Sequence, residues 1–301
     1  MAQGEGDGGT LRKGGWSPYG LLSPGMLWLV LFFLVPLVTL VRISLSTQAN
    51  RFTQEFEFSF EFSNFTDVIS DFGPIFLRSF RYAAIATVMC ILIGYPMAYV
   101  IAFRGGRYRN LLLGLVVVPF FTSYLIRTIA WTTIMRDDGP FLGIADLFNA
   151  GGLLDAIGFT DNGRLLQTQW AVIGGLTYNF LPFMVLPIYV SLEKIDTRLV
   201  EAAKDLYSSS ARAFRKVTLP LSLPGIFAGT LLTFIPASGD FVNAQFLGGP
   251  NNRMIGNIVQ NQFLVQNRYT SAAAISIILM VIITTAVLVY AKLLGTEELA
   301  P

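Results

Sequence analysis

The chain has 301 residues, of which 53% are hydrophobic and 13% are charged, and its formal net charge is +2. Soluble domains carry about 25% charged residues, so this composition excludes an ordinary soluble protein. The chain has no His and a single Cys, Cys90. An intramolecular disulfide, a zinc or haem site built on its own His or Cys, and His-dependent catalysis are therefore excluded. The small net charge gives no indication of nucleic-acid binding.

Six stretches are apolar for long enough to cross a bilayer, which takes about 20 residues. They predict an all-α polytopic membrane protein with six transmembrane helices. The stretches are 14–41, 82–103, 110–135, 165–192, 217–239 and 269–291. Residues 1–20, which are rich in Gly, are expected to form a disordered tail. Residues 21–295 form the predicted transmembrane domain, and 296–301 a short second tail.

The distribution of basic residues predicts the orientation of the spans. If the N-terminus is cytoplasmic, twelve of the 21 Lys and Arg residues fall on the inner side and seven on the outer side. The remaining two, Arg42 and Arg127, lie in the spans or at their edges. Because cytoplasmic loops carry the excess of Lys and Arg, both termini are expected in the cytoplasm.

Two long outer loops follow the first and third spans. In the first, Phe56, Phe58, Phe60 and Phe62 alternate with polar residues, which predicts a short half-buried strand. An outer cap over the helix ends explains this strand better than a ligand site does. The second loop, GPFLGIADLFNAGGLLDAIGF, predicts one or two short interfacial helices separated by Gly.

The inner loop 193–220, between the fourth and fifth spans, predicts two short amphipathic helices with a break between them. Asp196 or Thr197 can cap the first helix, and the serines at 208–210 can cap the second. The apolar positions are Leu199, Ala203 and Leu206, then Ala211, Phe214 and Val217. Leu219-Pro220 is expected to end the second helix and to begin the fifth span, because Pro is tolerated in a first helical turn.

Such a loop can lie on anionic lipid or dock another protein. Glu201 and Asp205 stand among its basic residues, and a helix–break–helix shape is costly unless something holds it. Both features favour docking over membrane lipid as the contact of this loop.

The loop resembles the Glu-Ala-Ala loop of ABC-importer permeases, which forms coupling helices that insert into a groove on a cytoplasmic ATPase. The matching residues are Glu201, Ala202, Ala203, Val217, Leu219 and Pro220. Tyr207 departs from the pattern, since the family has Gly there. A left-handed turn at Tyr would cost about 1 kcal/mol or more. Either the break moves onto the serines, or the docking helix is bent differently. The resemblance implies an ATPase-coupling set of Glu201, Ala202, Ala203, Leu206, Tyr207, Phe214, Leu219 and Pro220.

The resemblance extends over almost all of residues 20–295. The runs VPFFTSYLIRTIAW, YNFLPFMVLPIYVSLEKIDTRLVEAAKDL, FIPASGDFVNAQFLGG and MIGNIVQNQF look like the spermidine/putrescine branch of these permeases. The implied protein is a non-catalytic subunit with a type I importer fold, in the bacterial inner membrane. Its implied partners are two ATPase subunits that bind ATP and Mg, a second related permease and an extracytoplasmic binding protein. No cofactor is implied in this chain, and it has no GxxxxGK[ST] motif.

Two alternatives stay open at this point. The same branch includes permeases for opines and other small organic solutes, including amino-acid-like compounds. A stand-alone secondary transporter is less favoured, because it would call for an inverted repeat and an acid near the midplane of the membrane.

A polyamine is recognised by spaced carboxylates and by aromatic faces, and ionisable groups in membrane segments are functional candidates. Asp240 is the first candidate for the substrate pathway, because Pro236 and Gly239 favour a broken helix that lines a cavity. The alternative is that Asp240 is simply the first residue of an outer loop. The other candidates are Tyr178 and Asn179, beside the helix-disrupting Pro182, and Trp131, whose position is also typical of an interfacial aromatic belt.

Arg127 would repel a polyamine, so it is not assigned to the pathway. It is expected to pair with an outer acid or to extend to the interface.

Overall fold

The computed structural model describes residues 17–48, 50, 55–148, 151–156, 158–207 and 209–294. These residues contain five helices that are long and apolar enough to span a membrane, and one bent pair that makes a sixth span if counted together. The expected all-α polytopic architecture is confirmed.

The first span is a single apolar helical segment. Helix α1 (Ser17–Leu29) continues through a π-helical turn (Val30–Leu34) into α2 (Val35–Ser44). The helix therefore begins inside the 1–20 segment expected as a tail, and residues 1–16 lie outside the described residues. None of the most apolar window of this span is buried within the chain.

A two-stranded antiparallel hairpin follows, formed by β1 (Ser46–Gln48) and β2 (Phe56–Phe58), with Ser46 opposite Phe58. The predicted strand is real but short, because Phe60 adopts a left-handed φ of 51° that ends the extended backbone. The prediction that the alternating Phe face is half-buried is wrong beyond Phe56. Phe58, Phe60 and Phe62 are exposed by 45%, 63% and 64%.

The second span is much longer than its apolar stretch. Helix α3 (Ser63–Arg104) has 42 residues, so much of the expected first outer loop is helical. At a rise of about 1.5 Å per residue, α3 is roughly 63 Å long, which is twice the hydrocarbon thickness of a bilayer. The helix must therefore extend beyond the membrane.

The third span is not the straight helix expected for 110–135. A 3₁₀ turn (Gly106–Tyr108) leads into α4 (Arg109–Val117), and a second 3₁₀ turn (Val118–Phe121) precedes α5 (Tyr124–Ile134). The two halves are bent by 95°. Pro119 lacks an N–H for a continuing helix, and Thr122 and Ser123 are extended, with ψ of 148° and 134°.

Two short helices, α6 (Pro140–Leu147) and α7 (Gly151–Ala156), occupy the second long loop as predicted. Asp155 organises the connection that follows. Its carboxylate accepts hydrogen bonds from the Thr160 hydroxyl and the Gly163 N–H, and these bonds lower its pKa.

Helix α8 (Gln169–Glu193) is the centre of the fold, and 67% of its most apolar window is buried. Thr168 caps it by accepting a hydrogen bond from the Ala171 N–H at 3.2 Å. The helix runs without interruption through Pro182 and Pro187, so Pro182 does not break it as expected. Helices packed on both sides of α8 hold these turns in place.

The connection to the fifth span is α9 (Thr197–Tyr207), α10 (Ser210–Ala213), a π-helical turn (Phe214–Thr218) and α11 (Leu219–Ser238). Residues 210–238 form one continuous helix, so the expectation that Leu219-Pro220 ends a separate helix is wrong. The N–H of Leu219 bonds to the carbonyl of Phe214 in the wider π pattern. This widened turn accommodates the proline ring without breaking the helix.

The chain ends with α12 (Val242–Leu247), a 3₁₀ turn (Pro250–Asn252), α13 (Ile255–Leu264) and α14 (Tyr269–Leu294). Helices α3 and α11 pack along α8, while α14 packs against α2, α13 and α3. The buried core therefore follows α8, and both ends of that helix lead to candidate functional regions.

Candidate functional site

The first candidate region is the 196–217 loop. The N–H of Arg198 donates to Asp196 Oδ1 at 2.9 Å, so Asp196 is the cap that the sequence offered for α9. Ala203 is buried, whereas Glu201 and Ala202 are exposed. The helix therefore packs through Ala203 and exposes the carboxylate of Glu201 on its surface.

The break between the two loop helices falls on the serines. Helix α9 continues through Tyr207, and Ser209 is extended with φ of −142°. The Ser209 hydroxyl accepts a hydrogen bond from the Arg212 N–H at 3.3 Å and caps α10. Tyr207 thus avoids the left-handed turn. Ser208 and the side chains of Leu206 and Tyr207 lie outside the described part of the structure.

Phe214 joins the loop to the transmembrane core. Its ring lies 5.7 Å from the ring of Tyr95 and 6.0 Å from the ring of Tyr99, edge-on in both cases. Leu219 packs in the same cluster, and the next residue, Pro220, is exposed. Phe214 therefore connects the loop to α3, since both tyrosines belong to that helix.

The second candidate region surrounds Asp240, in the break between α11 and α12. Only 8% of this residue is exposed. Tyr124 donates its hydroxyl hydrogen to Asp240 Oδ2, and the Asn243 N–H donates to Asp240 Oδ1 at 2.8 Å. The carboxylate therefore caps the first turn of α12 and ties it to α5. It is not simply the first residue of an exposed loop.

The hydrogen bonds continue from Asp240 towards α8. The Asn243 amide donates to the Tyr124 oxygen at 2.6 Å, and the Asn179 amide donates to Asn243 Oδ1 at 3.0 Å. Thr128 lies within 3.4 Å of the Asn179 amide nitrogen. These five residues are named here the polar cluster. Within the described residues, the buried Asn179 Oδ1 has no hydrogen-bond partner.

Aromatic rings flank the polar cluster. Trp131 lies three positions after Thr128 on α5, and its ring is 5.2 Å from that of Tyr178 on α8. The structure therefore gathers all four predicted pathway residues, Asp240, Tyr178, Asn179 and Trp131, around the α5–α8–α12 contact.

Two glycines allow this contact to be close. A Cβ on Gly175 would lie 2.7 Å from Asn243 Oδ1 and 2.4 Å from Leu247 Cδ1. A Cβ on Gly256 would lie 2.4 Å from the Gly239 carbonyl oxygen. Helix α12 can approach α8, and the break between α11 and α12 can approach α13, only because these positions lack side chains.

Arg127 lies beside the polar cluster but outside its hydrogen bonds. Its guanidinium carbon is 5.2 Å from the ring centre of Phe120 and 5.7 Å from that of Tyr124. In the described part of the chain, its Nε and one terminal nitrogen are buried and have no hydrogen-bond partner. Of the two expectations, pairing with an outer acid is not seen among the described residues, where aromatic faces lie against the cation. Extension to the interface stays a prediction.

Sequence reasoning missed Tyr124, Thr128 and Asn243. Tyr124, Thr128 and Trp131 recur at helical spacing, and Asn243 stands at the third position after Asp240, which is the spacing of a cap. These local signals were available. The pairing of α5 with α12 was not, because 116 positions separate Tyr124 from Asp240.

Residues 90–294 match the family described as "Binding-protein-dependent transport system inner membrane component". The chain belongs to this family, and it is a multi-pass inner-membrane transport protein with the type I permease fold.

Among individual relatives, the chain is 37% identical over 264 residues to the spermidine/putrescine transport system permease protein PotB of Haemophilus influenzae. That match covers 87% of this chain and 89% of the relative. PotB of Escherichia coli is 36% identical over 269 residues, covering 87% and 92%. A solved bacterial ABC transporter involved in the import of the acidic polysaccharide alginate is similar in fold. Its TM-score is 0.64 at 18% identity, covering 94% of this chain and 96% of the other.

Proposed function

We propose that this chain is the permease subunit of an ATP-driven polyamine importer of the spermidine/putrescine type. The observation that carries the proposal is the likeness to PotB proteins at 36–37% identity over 87% of the chain. The polar cluster agrees with it, because a buried carboxylate beside aromatic rings is the chemistry that receives an alkylammonium group.

In this proposal, energy comes from two cytoplasmic ATPase subunits, which bind ATP and Mg. They contact the exposed face of α9, where Glu201 and Ala202 lie. Arg212, Arg215 and Lys216 line a hollow beside it, which adds a basic surface for the partner. Both termini are cytoplasmic, on the same side as this loop. Phe214 passes the motion of the loop to α3.

A second, related permease completes the pathway, and an extracytoplasmic binding protein delivers the substrate to the opposite face. The broken helix pairs α4–α5 and α11–α12 form the gate on that face. In the conformation observed, the carboxylate of Asp240 is occupied by Tyr124 and Asn243. Substrate passage therefore requires these contacts to open.

The experiment that tests the proposal is Glu201→Lys, assayed by uptake of labelled spermidine and putrescine in cells. Loss of one partner of a buried charge pair at an interface costs about 2–5 kcal/mol, and a reversed charge adds repulsion. Uptake should fall at least about thirtyfold, while the amount of protein in the membrane is unchanged. Glu57→Lys on strand β2 is the matched control, since it reverses an exposed carboxylate remote from the loop. Normal uptake by the Glu201 variant would contradict the coupling role.

A second candidate function is the import of a small organic solute that carries a carboxylate, such as an amino-acid-like compound. The observation that favours it is Arg127, whose buried donors suit a carboxylate. The same uptake assay separates the candidates. Polyamine uptake that resists competition by such solutes supports the polyamine importer, and uptake of the solute that is lost in Arg127→Met supports the alternative.

A further inference from the structure

A groove runs between the ends of α3 and α4, away from the polar cluster. Its volume is about 480 Å³. The lining side chains are apolar and include Pro96, Met97, Val100 and Ile101 of α3 and Leu112 and Leu115 of α4. From Pro96 to Arg104 the helix rises about 12 Å, close to half the hydrocarbon thickness of a bilayer. The groove and Arg104 at its end therefore extend together over close to the depth of one lipid leaflet.

Basic residues stand at the mouth of this groove. Arg104 lies four and eight positions after Val100 and Pro96, so it shares their helix face, and it is exposed. Arg107 is also exposed, and its guanidinium carbon lies 4.7 Å from the ring centre of Tyr108. The neighbouring Arg109 is already engaged by Glu193 and Tyr189. The mouth thus presents two exposed cations at the membrane–water interface.

We infer that the α3–α4 groove binds one anionic phospholipid. An acyl chain lies along Pro96, Val100 and Leu115, and the phosphate contacts Arg104 and Arg107. Charge complementarity selects this occupant, because basic pockets at helix ends bind anionic head groups while the apolar walls match an acyl chain. A transmembrane helix of another subunit would fill the groove but would leave the two arginines without an anion.

The test is native mass spectrometry of the full transporter, extracted in mild detergent and washed with an equal mixture of phosphatidylglycerol and phosphatidylcholine. The wild-type transporter should retain phosphatidylglycerol in preference to phosphatidylcholine. Arg104→Gln with Arg107→Gln should reduce that retention at least about tenfold, since each basic contact with anionic lipid contributes measurably. The double variant Arg136→Gln with Arg164→Gln is the control, because it removes the same charge from exposed ion pairs elsewhere.

The groove itself is tested by Leu115→Trp, which fills it, against Leu111→Trp. Leu111 is on the same helix and 60% exposed, but it does not line the groove. Retention should be lost only in the Leu115 variant. Equal retention of both lipids by wild type, or unchanged retention in the double Arg104 and Arg107 variant or in Leu115→Trp, would overturn the inference.

The competing occupant is tested by Leu115→Cys in the full complex. Cys90 is the sole cysteine of the chain and is buried, so within this chain the introduced thiol is the reactive one, and labelling is read on this chain. Reaction with a thiol probe carried on a lipid chain supports the lipid site. Protection of the thiol, together with cross-linking to another subunit, would overturn it.

Discussion

At the scale of single residues, Asp240 is held by two neighbouring residues, Tyr124 and Asn243. Both carboxylate oxygens have partners within the chain, so the residue stabilises the start of α12 as well as offering a negative charge. The structural role and the proposed transport role therefore fall on the same side chain. A test must remove the charge while keeping the cap.

Asp240→Asn meets this requirement, because an Asn oxygen can still accept from the Asn243 N–H and Asn is itself a good cap. Loss of a hydrogen bond to a charged group costs about 1.5–3 kcal/mol. Spermidine-stimulated ATP hydrolysis by the purified transporter should therefore fall about tenfold or more. Tyr124→Phe keeps the carboxylate and removes one of its partners, so its loss of stimulation should be smaller than that of the Asp240 variant. Unchanged stimulation in the Asp240 variant would remove this residue from the pathway.

At the scale of elements, the breaks in two of the helical spans determine where the polar cluster forms. Helix α5 turns away from α4 by 95°, and α11 ends at Ser238 before α12 folds back beside α8. These two breaks bring α5, α8 and α12 together. The contact between α8 and α12 depends on Gly175, where a methyl group would meet Asn243 and Leu247.

Gly175→Ala should therefore destabilise the protein, because overpacking a close contact costs about 1–3 kcal/mol. The adjacent Gly174→Ala is the control, since its Cβ would meet only the flexible end of Met135 at 3.4 Å. That variant should be neutral or slightly stabilising, because Ala favours helix over Gly. Thermal unfolding in detergent measures both. Equal midpoints for the two variants would mean that α12 does not depend on close packing at Gly175.

At the scale of the whole molecule, the chain leaves large apolar surfaces uncovered. The first span buries none of its most apolar window within the chain, and large apolar side chains such as Leu27 and Phe121 are exposed by 70% and 86%. Lipid can cover such surfaces. In the proposed importer, the exposed carboxylate of Glu201 faces the ATPase subunit.

An affinity-tagged chain should therefore co-purify in mild detergent with an ATPase subunit and a second permease. Glu201→Lys should lose the ATPase and keep the second permease, because only the loop contact is changed. Recovery of the wild-type chain alone would contradict the importer assembly. Recovery of the ATPase with the Glu201 variant would place the essential contact elsewhere on the loop.

Several features of this protein were predictable from the sequence because they depend on local chemistry. Hydropathy located the apolar spans, since about 20 apolar residues cross a bilayer in any fold. The serine cap at Ser209 and the cap at Asp196 followed from side-chain chemistry within three residues. Asp240 was likewise found as a rare acid beside an apolar span.

Only the tertiary structure decided how these parts meet. The third span is bent at Thr122, α8 is continuous through Pro182, and the helix that begins at Ser210 continues through Pro220. The tertiary structure also joins Tyr124 to Asp240 across 116 positions. The physical reason is that hydropathy measures the transfer of each segment into lipid. Helix breaks and hydrogen-bond partners depend instead on which neighbouring helices can satisfy the freed backbone and polar groups.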